Sequence, residues 1–142
     1  MKLTNTDKIG NSKAGPLLAA EFEFDTTIEI NDISSIIEML PKNLNFSLIC
    51  ISGGDSSYDG YNLRFDNFEE ALDYINENNM DDATHFIVES MKGLDILGFG
   101  FELNTNRMNT SYRKHTDEEV FALIQSIENN IKEKKNNRPM SL

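Results

Sequence analysis

The chain has 142 residues, 24 of them acidic and 13 basic, for a net charge of −11. Hydrophobic residues make up 39%, enough for one core without covalent staples, and no apolar run approaches the roughly 20 residues of a bilayer span. Phosphate and anionic lipid both need a basic patch, so this charge argues against nucleic acid and membrane as partners and favours a cationic one.

The charge is unevenly spread. From Ala20 to Asn106 there are 18 Asp and Glu against Lys42, Arg64 and Lys92 alone. The single cysteine, Cys50, forbids an internal disulfide, and a reducing compartment is the simplest setting for it. The polar start, Met1-Lys2-Leu3-Thr4-Asn5, does not read as a secretory signal, so a cytoplasmic location is expected.

Residues 1–16 show no periodicity and end in Gly15-Pro16, which predicts a flexible N-terminal arm. From about residue 18 to 30, Phe22, Phe24, Thr26, Ile28 and Ile30 alternate with Glu21, Glu23, Asp25, Thr27 and Glu29, the pattern of a half-buried strand. Asn31 or Asp32 then caps a helix with the stripe Ile33, Ile36, Ile37, Leu40, and Pro41 stops it. Residues 44–52 read as a central strand. Ser52 to Gly60 is a loop by composition, and Tyr61, Leu63 and Phe65 share one face of a short strand.

Asn67 and Glu70 have capping-box spacing and open a second helix, with Ala71, Leu72 and Ile75 inward and Glu69, Glu70, Asp73 and Glu77 outward or flanking. Residues 83–91 and 94–104 predict a hairpin turning at Lys92-Gly93. Thr116 and Glu119 open a last helix with the stripe Val120, Leu123, Ile124, Ile127, Ile131 and a lysine-rich C-terminal end. Residues 136–142 are expected to fray.

The expected fold is therefore α+β: a single-layer, mostly antiparallel or mixed five-stranded sheet with three helices. Its order is β-α-β-β-α-β-β-α, a split βαβ-like core plus one strand and a C-terminal helix. One domain, 17–135, holds all of it.

Few residues suggest chemistry. Asp55, Ser57, Asp59 and Asp66 stand at positions 1, 3, 5 and 12 of a calcium-loop spacing, with Gly60 at the turn. Against this, strands rather than helices flank the loop, Asn62 replaces the usual apolar residue, and Asp66 reaches less far than Glu. Gly53-Gly54 lacks the helix start and lysine of a phosphate loop. Cys50, His85 and His115 have no spacing that pairs them for nucleophilic catalysis or for zinc. No cofactor motif occurs.

The carboxylates Glu21, Glu23, Asp25 and Glu29 line one side of the first predicted strand. They could pair with cations of the chain itself, guard an edge strand, or dock a basic partner. The reading that follows is a non-enzymatic acidic module that neutralises a basic protein through these four residues, the Asp55–Asp59 loop, and Glu69, Glu70, Asp73 and Glu77. Immunity proteins and antitoxins, which inhibit toxins such as nucleases, offer an analogy in size and acidity. The alternatives are an enzymatic or small-ligand domain with a pocket near Gly53–Gly60, and a calcium-stabilised module.

Overall fold

The computed structural model describes residues 1–54 and 60–137. Along the chain it runs β1 (Lys2–Ser12), β2 (Gly15–Ile28), a single 3-10 turn (Ile30–Asp32), α1 (Ile33–Met39), β3 (Phe46–Gly53), β4 (Tyr61–Arg64) and α2 (Phe68–Glu77). Then follow β5 (Ala83–Lys92), β6 (Asp95–Glu102), β7 (Thr105–Arg113) and α3 (Asp117–Asn136). One seven-stranded sheet is ordered β1-β2-β7-β6-β5-β3-β4, with every neighbouring pair antiparallel.

The α+β class holds, but the five-strand count does not. The two added strands lie where the sequence has little period-two signal. Residues 1–16, expected to be a loose arm, supply β1, an edge strand whose side chains are almost all exposed on both faces. With no buried face it carries no hydrophobic alternation, and its ladder to β2 holds it in place. β7 hides its alternation differently: its inward residues are Met108, Thr110 and Tyr112, and Thr110 hydroxyl donates to the Gly98 carbonyl at 2.8 Å. The turn before it is marked by Asn104, in the left-handed region at φ 64°.

The split βαβ arrangement is also replaced. It would set β2 between β5 and β4. Instead β6 and β7 lie between β5 and β2, and two consecutive hairpins, β5-β6 and β6-β7, keep the sheet antiparallel.

All three helices cover one face. Phe22, Phe86, Phe99, Phe101 and Ile51 meet Ile33, Ile36, Ala71, Val120, Ile124, Ile127 and Ile131 in a single core. The Phe22 and Phe121 rings pack edge to face at 5.1 Å. Asn67 accepts from the Glu70 N–H at 2.9 Å and Thr116 from the Glu119 N–H at 3.2 Å, so two of the three predicted N-caps form; Asp32 precedes α1 without a side-chain cap and instead accepts the Glu29 N–H at 2.9 Å. Leu40 is extended before Pro41, which ends α1.

Candidate functional site

The row of carboxylates on β2 is broken up by the chain's own cations. Glu21 and Glu23 face the helix-free side, and Glu23 stands in register between Lys2 of β1 and Arg107 of β7. The β2–β7 ladder is irregular between Glu23 and Ile28, and Asp25 is instead tied to α3. Lys132 Nζ donates to it at 2.7 Å and the Met1 amino group at 3.3 Å. Those two cations hold the Asp25 carboxyl below its usual range, Lys132 having the larger effect. Glu29 lies 3.9 Å from Lys135, which also pairs with buried Asp32 at 3.2 Å. Asp25 and Glu29 thus serve the junction of β2 with α3.

Glu21 and Glu23 form no ion pair among the described residues, and a larger group of such carboxylates lies elsewhere. No Lys or Arg occurs between Arg64 and Lys92, a span that carries Asp66, Glu69, Glu70, Asp73, Glu77, Asp81 and Asp82 on and around α2. All seven are exposed. Among the described residues, none of the seven forms an ion pair. The helix fixes their spread: Glu69, Glu70, Asp73 and Glu77 fall outward because Ala71 is buried and Leu72, Ile75 and Phe68 pack on the core. The α2 flank also borders β4, the far edge of the sheet. Asp81 and Asp82 were missed in the sequence; the absence of any cation across this span is the signal that could have included them.

Asp55, Ser57 and Asp59 lie outside the described residues. Asp66 follows β4 and sits at the α2 end of that strand. Gly53 and Gly54 have a packing reason. A Cβ at Gly53 would lie 2.5 Å from the Asp82 carbonyl oxygen and 2.6 Å from the Ala83 Cα, and Gly54 N–H donates to that same carbonyl at 3.1 Å.

Cys50 and His85 do come near one another in the sheet. Cys50 pairs with Ile87, two residues from His85, so the two are diagonal neighbours on the helix-free face. The thiol is only 5% exposed and donates to Asn62 Oδ1. Desolvation pushes it up, opposed by Arg64, so the nucleophilic thiolate is disfavoured. His115 lies apart, in a crevice with Glu119 and Leu123 beside the start of α3. Among the described residues no three His, Cys, Asp or Glu side chains gather as a metal site.

A cavity of about 560 Å³ is lined by Leu40, Leu44, Phe46, Ile49 and Phe68, at the start of β3 and so at the opposite end of that strand from Gly53. A smaller crevice of about 270 Å³ adjoins Tyr61, between β4 and the end of α2. No helix among the described residues is long and apolar enough to cross a membrane. Compared with known proteins, the chain matches no family model, no curated protein and no solved structure.

Proposed function

We propose that this protein is a binding module without chemistry of its own, which engages and neutralises a basic protein through the α2 edge. The observation that carries the reading is the set of seven exposed carboxylates from Asp66 to Asp82 with no ion pair among the described residues. Several acidic groups elsewhere are met by the chain's own cations: Asp25 by Lys132, Glu38 by Lys134, Asp95 by Lys114, Glu102 by Arg107. A like-charged, uncompensated flank raises the local potential, speeds encounter with a cationic surface and makes association salt-sensitive. A toxin with a cationic nucleic-acid cleft is the kind of partner this chemistry suits, the carboxylates standing in for phosphates.

The test is affinity capture from the native cell with wild type and with a Glu69→Lys/Asp73→Lys/Glu77→Lys variant, at low and high salt. A basic protein held by wild type at low salt, released at high salt and lost by the variant supports the reading. A Glu21→Lys/Glu23→Lys variant should still hold it. Identical capture by wild type and the α2 variant overturns the assignment.

A further inference from the structure

At the C-terminal end of α2 the electrostatics run the wrong way for a helix. The backbone dipole leaves partial negative charge there, which cations normally offset. α3 follows that rule, with Lys134 and Lys135 in its last turn. α2 has no basic residue in its last turn; it ends at Glu77, and Asp81 and Asp82 follow within five residues. The crevice between this helix end and β4 is lined by Tyr61, Leu63, Tyr74, Asn78, Met80 and Asp82, with a volume of about 270 Å³.

Its walls match one kind of side chain. Tyr74 is 36% exposed, and its ring is held by Phe65 at 5.6 Å in an edge-to-face contact. An aromatic ring with an open surface attracts a planar cation. Asp82 accepts the Tyr61 hydroxyl on Oδ1 at 3.0 Å, which fixes the carboxylate at the crevice. Burial and that bond push Tyr61 up to about 12, so the phenol remains neutral. Leu63 and Met80 provide an apolar floor for a methylene stem.

We infer that this crevice is a receptor for an arginine side chain of the basic partner, the guanidinium stacking on Tyr74 and meeting Asp82 at the negative end of α2. This rests on the α2 edge being the docking surface, and it adds selectivity for arginine over lysine. An ammonium ion lacks the planar, weakly hydrated face that stacks on a ring.

The probes are two synthetic peptides of equal charge, Lys-Lys-Arg-Lys-Lys and penta-lysine, titrated at low ionic strength into isotope-labelled protein and followed by amide shifts. Wild type should bind the arginine peptide about fivefold more tightly, with the largest shifts at Asn78 and Asn79. Tyr74→Leu should bring the two affinities within about twofold and leave that of penta-lysine unchanged. If Tyr74→Leu melts early, Asp82→Asn serves instead and should weaken the arginine peptide more than penta-lysine. Equal, salt-sensitive binding of both peptides by wild type overturns the arginine receptor and leaves the acidic-edge reading standing. A preference that survives both substitutions also overturns it. Binding of neither peptide removes both readings.

Discussion

Replacing Glu128 with Gln should destabilise the fold by about 2–3 kcal/mol. Glu128 is fully buried on α3. Its carboxylate accepts the Asp25 backbone N–H at 2.6 Å and the Gln125 amide at 3.0 Å, and it lies 2.9 Å from the Met1 amino group. An amide of the same shape can keep the Asp25 bond. It then turns its NH₂ toward the Met1 amine, which is only 13% exposed. Breaking a buried ion pair outright costs about 3–5 kcal/mol. Here Asp25 remains 3.3 Å from the same amine and limits the loss. A charge-assisted hydrogen bond is worth about 1.5–3 kcal/mol, and with the pair only partly broken the effect falls in the upper part of that range. For a domain of this size the midpoint should fall by roughly 6–12 °C. Thermal and urea unfolding followed by circular dichroism measure it directly. Asp25→Asn is the control: its carboxylate is 64% exposed, so the same network perturbed from outside should move the midpoint far less. A Glu128→Gln variant melting within about 2 °C of wild type would show that this carboxylate does not anchor β2 to α3.

Other consequences concern packing, reactivity and pH. Gly53→Ala forces a methyl against the Asp82–Ala83 backbone, 2.5–2.6 Å away, and should cost about 1–3 kcal/mol in urea unfolding; unchanged stability would mean that this approach is not close. The Cys50 thiol, buried and pushed up by desolvation, should react with a disulfide reagent far more slowly at pH 8 in the native protein than in urea, and equal rates would contradict its burial. Asp25 is held below its usual value, so its contribution is present above the unfolded value of about 3.9 and is lost as pH falls through the lower folded one. The difference in midpoint between wild type and Asp25→Asn should therefore persist at pH 6 and close on acidification below about pH 4. The Met1 amino group, raised chiefly by Glu128, has the opposite dependence: its contribution is full below about pH 8 and fades as pH rises through the raised value.

Much of the fold is legible in the residues themselves, wherever one face of an element is buried. Phe22, Phe24 and Ile28 show β2 by alternation, Ile124, Ile127 and Ile131 show α3 by helical spacing, and Asn67 and Thr116 mark helix starts by cap chemistry. These signals are local: they depend on the period of the backbone and on the chain's own unpaired N–H groups. β1 has no such signal because neither of its faces is buried, and β7 has a weak one because Thr110 fills an inward position through a hydrogen bond to Gly98.

The charge count was likewise open to inspection, but the location of uncompensated charge was not. Glu21, Glu23, Asp25 and Glu29 are adjacent in sequence, and the fold sets Lys2, Arg107, Lys132 and Lys135 beside all but the first. Those cations are up to 107 residues away along the chain, as Lys132 is from Asp25. Ion pairing falls off within a few ångströms while sequence separation carries no distance. Composition determined that this protein is acidic, and the periodicity of its apolar residues that it builds an α+β core; only the packing of α3 onto β2 decided that Asp25 and Glu29 are paired with lysines, as the exposed carboxylates around α2 are not.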